Sequence, residues 1–386
     1  MNFDEKITRI ITWLVAGAPP PGTFENFIDV FSERLVAAGA PIDSIAFYKY
    51  NIHPILPAEG VIWTVKRGVQ HVPVSNDMVQ SKAFQNGPQA KTIHMQRLLR
   101  FRFDDEEDDG GDLTLQGYRN AGYKDLICLP LFNVDGSVSR AVFFGTKAEK
   151  GFDDDLVKQL RRLQAPVARV CEHFGDRSDM KVSLTTYLGQ DIGRKVMDGK
   201  IQRGEGETIS AVILFVDLVS YTAMSNSRPG TEVLKVLNLF YEIIDSAVVA
   251  NFGEILKFIG DGALIIFPVV DDLTALEAAT QSALNAVATS RTEIENQYSE
   301  TPIEFRASLH IGEIFYGNVG SQHRLDFTAV GPAVNLASRL LDQASALNAK
   351  TVCSEEFNVI TSIAVDTGTK CDLKGFNETV SVFVVE

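Results

Sequence analysis

Hydrophobic and polar positions between Ser210 and Pro268 follow the pattern that organises this chain. An apolar run, SAVILFV, ends at Asp217. Two further strand-like runs flank a Gly-Asp-Gly turn at Asp261. Between the two acids, apolar residues recur at helical spacing at Val233, Leu237, Phe240, Ile244 and Val248. The pattern predicts a β-α-β-β unit. If the strand opening at Gly262 lies antiparallel beside the run ending at Val216, Asp217 and Asp261 lie side by side at a sheet edge.

Two carboxylates at neighbouring strand ends are typical of a site for hard divalent cations. Magnesium prefers oxygen ligands, and two ions roughly 3.5–4 Å apart can activate an attacking oxygen and neutralise a triphosphate. Each acid also has a simpler interpretation, because Asp217 can cap the helix that follows and Asp261 can occupy a turn. The wider set of motifs decides between these alternatives.

The hydrophobic pattern also predicts the elements from there to the end of the given sequence. It predicts a helix over Leu273–Tyr298, a strand over Ile303–Ile311, a hairpin through Gly312 into Ile314–Val319, a strand over Phe327–Val330, a helix over Ala333–Leu341 begun by Pro332, and a last strand over Thr379–Val385. Helices that pack on one largely antiparallel sheet make this part an α+β domain.

The first part of the chain has its own pattern of helices and strands. Helices are predicted over Phe3–Ala16 and Thr23–Ala38, strands at SIAFYKY and VIWTVKR, a hairpin formed by LICLPLF and RAVFFGT, and a long helix from near Asp153. The acidic run Asp104–Asp109 is predicted to be a solvated loop. The apolar stripe of the long helix, which starts at Leu156 and runs to Phe174, suits pairing with a second copy or packing on its own sheet.

Composition narrows the classes of function. The chain has 386 residues, 45% of them apolar, and a formal net charge of −14. That charge disfavours nucleic acid or an anionic membrane as the main partner. The chain has no apolar run of the ~20 residues that a membrane span needs, and its acidic start is unlike a secretory signal. Four scattered cysteines are expected to be reduced thiols. The protein is therefore expected to be cytoplasmic.

Three motifs resemble a known family. The segments FVDLVSYT, EILKFIGDG and FTAVGPAVNLASRL are similar to the catalytic motifs of class III nucleotidyl cyclases, in the order and spacing of that family. The resemblance implies a palm-like catalytic domain with a ferredoxin-like core over residues 208–386. The pattern of residues 23–175 resembles a GAF domain, a small-molecule sensor fold. We therefore expect a GAF-like sensor over 1–175, of unknown ligand, a helical linker or transmitter over 176–207, and the catalytic domain after it.

The resemblance also implies a role for individual residues. Asp217 and Asp261 match the ligands of two Mg²⁺ (or Mn²⁺) ions, Asn335 matches the residue that positions ribose, and Arg339 matches the one that stabilises the transition state. Substrate-binding positions are Lys257 and Thr328 for the purine, Lys374 for the triphosphate, and the backbone N–H groups of Leu218, Val219, Ser220, Tyr221 and Thr222 for phosphate.

Thr328 departs from the commonest pattern, since many adenylyl cyclases have aspartate at this position. Threonine resembles the subgroup that includes bicarbonate-responsive cyclases. A guanylyl enzyme would be expected to have glutamate and cysteine at positions 257 and 328, so lysine with threonine favours ATP. The family implies sites shared between two catalytic units, hence a head-to-tail homodimer. The alternatives are a guanylyl cyclase, or a catalytically silent ligand-sensing scaffold that would have no need of these residues.

Overall fold

Two units, Met1–Ser183 and Leu184–Glu386, make up the chain. Their structure is a computed structural model that describes residues 2–19, 22–50, 58–103, 112–269, 273–297, 303–365 and 367–385. The division falls inside the segment 176–207 that was predicted to be a linker. The acidic run Asp104–Asp109 lies outside the described residues.

The first unit is built on an antiparallel sheet with strand order β3-β2-β1-β6-β5-β4. Its strands are β1 (Ser44–Tyr50), β2 (Ala58–Thr64), β3 (Gly68–Val74), β4 (Leu99–Arg102), β5 (Asp125–Phe132) and β6 (Val138–Thr146). Its helices are α1 (Phe3–Val15), α2 (Phe24–Ala38), α3 (Asn76–Gln80), α4 (Lys82–Gln85), α5 (Pro88–Met95), α6 (Leu113–Asn120) and α7 (Asp154–Leu188), the last of which runs on into the second unit. The predicted helices and the hairpin of β5 and β6 are confirmed.

Helices α1, α2 and α7 cover one face of this sheet. Every second residue of a strand faces these helices. Such residues, including Phe47 and Leu129, form one core with the apolar stripes of the three helices. The α7 stripe from Leu156 to Val170 is buried in this core. For these turns, packing on the chain's own sheet is therefore the correct alternative. The opposite face of the sheet carries a smaller cluster that includes Leu115 of α6.

The second unit is built on an eight-stranded sheet with order β13-β14-β12-β10-β7-β9-β8, in which β11 pairs with β10. Its strands are β7 (Gly206–Leu218), β8 (Glu254–Ile259), β9 (Gly262–Val269), β10 (Phe305–Gly320), β11 (Leu325–Val330), β12 (Thr351–Ser354), β13 (Thr369–Cys371) and β14 (Val380–Val385). Its helices are α8 (Gln190–Met197), α9 (Tyr221–Ser227), α10 (Gly230–Ala250), α11 (Leu273–Gln297), α12 (Pro332–Ala346) and α13 (Glu355–Thr361). Helices α10 and α11 pack on one face, α8 and α12 on the other, as an α+β fold requires.

The predicted hairpin at Gly312 is wrong. Strand β10 runs without a break from Phe305 to Gly320 and pairs along this length with β7 and then β11. A Cβ atom at Gly312 would lie 2.5 Å from the Cβ atom of Ala333, the second residue of α12. Glycine is present at this position because a helix packs closely on the strand there, not because the chain turns.

Residues 184–207 are part of the second unit and not a free tether. Ile192 of α8 is buried in its core. The ammonium group of Lys195 lies 4.3 Å from the ring centroid of Tyr316, whose hydroxyl donates to Glu254 at 2.8 Å. This part of the predicted linker is therefore held by apolar and polar contacts. In the parts of the chain that the structure describes, none of the helices combines the length and the apolar content that a membrane span needs.

Candidate active site

The two predicted metal ligands lie side by side, as expected from the sequence. Strands β7 and β9 are antiparallel, and their register places Asp217 opposite Gly262. The N–H group of Leu218 donates to the backbone oxygen of Asp261 at 3.3 Å. A Cβ atom at Gly262 would lie 2.5 Å from the oxygen of Val216 and 2.9 Å from Oδ1 of Asp217. Glycine after Asp261 therefore lets the two acidic residues approach each other.

This approach creates an electrostatic conflict. Burial and, next in size, the negative charge of Asp261 raise the pKa of Asp217 to about 6, whereas Arg306 opposes the shift. Arg306 faces Asp217 from the neighbouring strand β10. A carboxylate pair of this kind is stabilised by a bound cation.

Oxygen donors and the adjacent negative charges suit Mg²⁺ or Mn²⁺. Among the described residues, no group of three or more His, Cys, Asp or Glu side chains could hold a metal ion. Magnesium commonly binds through one or two carboxylates and completes its coordination with water and substrate phosphates. The residues present therefore fit ions that are held jointly by the protein and a nucleotide.

A tyrosine that the sequence reasoning missed supports the turn between β8 and β9. The hydroxyl of Tyr241 donates to the backbone oxygen of Gly260 at 2.5 Å. Burial, then Asp261, raises the pKa of this tyrosine. It lies on α10 beside the buried Phe240, so helical periodicity alone does not distinguish it from a surface residue. Its contact fixes the backbone just before the second acid.

Some backbone N–H groups of the predicted phosphate loop donate hydrogen bonds within the protein. The N–H group of Val219 donates to the oxygen of Glu304 at 2.8 Å, and that of Leu218 is held by Asp261. Ser220 has a left-handed backbone, with φ of +63°, and precedes the seven-residue helix α9. Two of the five predicted N–H groups therefore already have a backbone acceptor.

The two residues that are predicted to read the purine lie on strands β8 and β11, which approach each other. The pairing of β8 with β9 shifts register between Ile255 and Lys257, and Lys257 is exposed beyond this irregularity. Its ammonium group pairs with the carboxylate of Asp326. Asp326 and the half-buried Thr328 are two residues apart on β11, hence on one face. This period of two is the signal that could have identified Asp326.

Helix α12 presents the predicted asparagine and arginine on the side away from the core. Its buried face includes Ala333 and Ala337, whereas Asn335 is exposed and Arg339 is half-buried. The Arg339 guanidinium donates to Asp342 at 3.2 Å. The charge of Asp342 also contributes to the raised pKa of Asp217, after burial and Asp261, so the two lie within electrostatic range.

Lys374 lies in the turn between β13 and β14. It is exposed, and Gly375 after it has φ of +91°. The predicted site residues thus occupy four places in the unit: the ends of β7 and β9, the pair of strands β8 and β11, the outer side of α12, and this turn.

Comparison with known proteins finds similarity over the second unit of the chain. Residues 205–386 match the family model described as the adenylate and guanylate cyclase catalytic domain. Uncharacterised proteins of Mycobacterium tuberculosis are similar: Rv1319c is 30% identical over 198 residues, which is 51% of this chain and 36% of that protein. Rv1320c is 30% identical over 200 residues, 51% of this chain and 34% of that protein. The chain thus matches about a third of the length of these curated relatives.

Solved structures of an adenylyl cyclase and of a guanylyl cyclase are also similar to part of this chain. The adenylyl cyclase CyaB from P. aeruginosa is 23% identical, covers 47% of this chain and 96% of its own, and gives a TM-score of 0.42. The guanylyl cyclase Cya2 is 24% identical, covers 47% of this chain and 93% of its own, and gives a TM-score of 0.38.

Proposed function

We propose that the protein converts ATP to 3′,5′-cyclic AMP and pyrophosphate, because residues 205–386 match the family model of the adenylate and guanylate cyclase catalytic domain. It would be a phosphorus–oxygen lyase, an adenylate cyclase. The observation that carries the proposal is the pairing of Asp217 and Asp261 at the ends of β7 and β9, with mutual repulsion that a divalent cation relieves.

In this proposal the ribose 3′ oxygen attacks the α-phosphate and pyrophosphate leaves. Asp217 and Asp261 would hold two Mg²⁺ or Mn²⁺ ions, and these ions would lower the pKa of the attacking hydroxyl and offset phosphate charge when bound. Asn335 hydrogen-bonds the ribose. Arg339 exchanges Asp342 for the phosphate oxygens, where its fixed charge stabilises the transition state.

The remaining contacts orient the triphosphate. The exposed ammonium group of Lys374 pairs with its terminal phosphates, and the N–H groups of Ser220, Tyr221 and Thr222 donate to its oxygens. Because the N–H groups belong to the main chain, they need little reorganisation as charge develops.

Preference for ATP over GTP rests on Lys257 and Thr328. The ammonium group donates a hydrogen bond to N1 of adenine and the hydroxyl accepts one from its amino group, whereas guanine presents the reverse polarity. Asp326 orients Lys257 through their ion pair. The alternative is a guanylyl cyclase, because the matching family covers both activities.

A direct assay tests the activity. Purified full-length chain is incubated with ATP or GTP and Mg²⁺ or Mn²⁺, beside Asp261→Ala and the control Glu242→Gln, which changes an exposed carboxylate of α10. We expect cyclic AMP from the wild type and the control, and none from Asp261→Ala. Cyclic GTP product alone would support the guanylyl alternative, and no cyclic product under either metal would support the silent scaffold.

We also propose a head-to-tail homodimer with two shared sites, because each motif occurs once in the chain. Asp217→Ala and Arg339→Ala should each be inactive, yet regain partial activity when mixed, since one of the two mixed sites is intact. Failure of every mixing ratio to restore activity would contradict shared sites.

The proposal assigns regulation to the first unit, as a GAF-like sensor of a small molecule. Its support is a six-stranded antiparallel sheet with helices on both faces. A cytoplasmic location, where ATP is abundant, belongs to the same proposal, and cell fractionation tests it.

A further inference from the structure

The two strands that carry the predicted purine readers are both edge strands. Strand β8, with Lys257, ends the main strand order and pairs with β9, whereas β11, with Thr328, pairs with β10 outside that order. Among the described strands, β10, β7 and β9 separate them in the order of pairing. Backbone hydrogen bonds join β8 to β11 only through these three strands, so side-chain contacts between them also determine their spacing.

The pairing of β8 with its one neighbour is irregular close to the purine reader. Its register with β9 shifts between Ile255 and Lys257. Such an irregularity leaves a residue unpaired and bends the strand, so the ladder holds the backbone less firmly there. A recognition site needs its groups held to within about 0.5 Å. Strand β8 therefore needs a second support near this point.

A buried tyrosine of β10 contacts both edge strands. Tyr316 is only 3% exposed, and its hydroxyl donates to Oε2 of Glu254 at 2.8 Å. Glu254 lies on β8, three residues before Lys257. The ring of Tyr316 lies 4.8 Å from that of Phe327, between centroids and nearly at a right angle. Phe327 directly precedes Thr328 on β11, so one side chain joins the two strands on which the purine readers lie.

The hydrogen bond between Tyr316 and Glu254 has a charged acceptor. Burial raises the pKa of Glu254, and the hydrogen bond from Tyr316 opposes this shift. The hydroxyl therefore stabilises the ionised carboxylate. Hydrogen bonds to charged groups contribute more than those between neutral groups. This contact is thus strong enough to hold β8 at a fixed distance from β10 and β11.

Helix α8 holds the two rings from above. The ammonium group of Lys195 lies 4.3 Å from the ring centroid of Tyr316 and 5.4 Å from that of Phe327. Asp191, at 2.9 Å, and Glu207, at 3.5 Å, pair with the same ammonium group. A cation over an aromatic face is attracted to it. These contacts restrict the movement of both rings.

We propose that Tyr316 is a positioning residue for purine recognition, which sets the spacing between Lys257 on β8 and Thr328 on β11. It acts through its hydrogen bond to Glu254 and its ring contact with Phe327. This inference rests on the proposed function, in which Lys257 and Thr328 read adenine. Loss of the hydroxyl lets β8 shift relative to β11, so contacts to the base weaken. Contacts to the triphosphate come from other parts of the unit and do not change.

Titration calorimetry of the full chain tests this assignment without turnover. The probes, with Mn²⁺ present, are α,β-methylene-ATP, α,β-methylene-GTP and inorganic tripolyphosphate. Tyr316→Phe should weaken binding of the ATP analogue about three- to tenfold, the range of one hydrogen bond, and lower the ratio of ATP to GTP affinity. Binding of tripolyphosphate should stay within about twofold. The control Tyr187→Phe, which removes an exposed hydroxyl of α7, should bind all three probes like the wild type.

Variants of the acceptor test whether the hydrogen bond itself is responsible. Glu254→Gln keeps an acceptor for the tyrosine hydroxyl and should bind the ATP analogue within about twofold of the wild type. Glu254→Leu has a similar size and no acceptor, so it should weaken binding as much as Tyr316→Phe. The combination of Tyr316→Phe with Glu254→Leu should lose no more than either single change, because both remove the same contact.

The outcomes separate this inference from the proposed function. If the wild type binds the ATP analogue and Tyr316→Phe binds it equally well, the inference is overturned and the proposed function stands. An equal loss of tripolyphosphate binding in Tyr316→Phe also overturns it, because the tyrosine then supports the whole unit and not the purine readers. A wild type that binds neither nucleotide analogue overturns the proposed function, and this inference with it.

Discussion

Replacing Asp217 by asparagine should stabilise the metal-free protein while it abolishes activity. The pKa of this carboxyl lies at about 6, against an ordinary 3.8, because of burial and then Asp261. If the whole difference in pKa is converted to free energy, it corresponds to at most about 3 kcal/mol of folding stability. Because the side chain is only half-buried, solvent reduces the cost of its charge to about 1 kcal/mol. Asparagine has the same shape and removes the repulsion from Asp261.

The sign of the pH dependence follows from the raised pKa. A carboxyl with a folded-state pKa above its unfolded value favours the folded state at low pH, and this contribution is lost as pH rises through about 6. The wild type therefore carries the full cost at pH 8. Asp217→Asn should gain about 2–4 °C in the unfolding midpoint of a unit of this size at pH 8, and much less at pH 4.5.

Scanning calorimetry of metal-free protein measures this difference, with Glu242→Gln as the control for loss of one exposed charge. Addition of Mg²⁺ should reverse the order of stability, because the ion binds and stabilises the wild type more than the variant. If Asp217→Asn were no more stable than the wild type at pH 8, the carboxylates would not be in conflict, and the argument for the metal site would fail.

Three further substitutions test individual contacts. Gly312→Ala places a Cβ atom 2.5 Å from that of Ala333, so it should displace α12, cost about 1–3 kcal/mol by urea unfolding, and lower kcat. An unchanged kcat would contradict the role given to this glycine. Asp326→Asn removes the charged partner of Lys257, and the ratio of kcat/KM for ATP over GTP should fall up to about fivefold, the range of an exposed ion pair; a rising ratio would refute this. A Cβ atom at Gly175, inside α7, would overlap Nη2 of Arg140. Gly175→Ala should therefore destabilise the first unit, although alanine in a helix interior normally gains about 1 kcal/mol, and urea unfolding that showed such a gain would contradict the close contact with the guanidinium.

The sequence alone determined the acid pair and the elements around it. Asp217 ends an apolar run, Asp261 lies in a Gly-Asp-Gly turn, and the apolar residues between them repeat with helical period. These are local signals, and few arrangements of a β-α-β-β unit satisfy them. The spacing of four residues between Asn335 and Arg339 also predicted that they share one face of α12, because this follows from the helix itself.

The tertiary structure decided what depends on distant neighbours. A glycine such as Gly312 is expected both in a turn and in a strand on which a helix packs closely. Only the packing of α12 distinguishes these two cases. The pairing of Lys257 with Asp326, the hydrogen bond from Tyr241 to Gly260, and that from Tyr316 to a carboxylate of β8 join residues far apart in the chain. Hydrophobic periodicity reports which side of an element is buried, but not which residue lies opposite, because that depends on how the elements pack together.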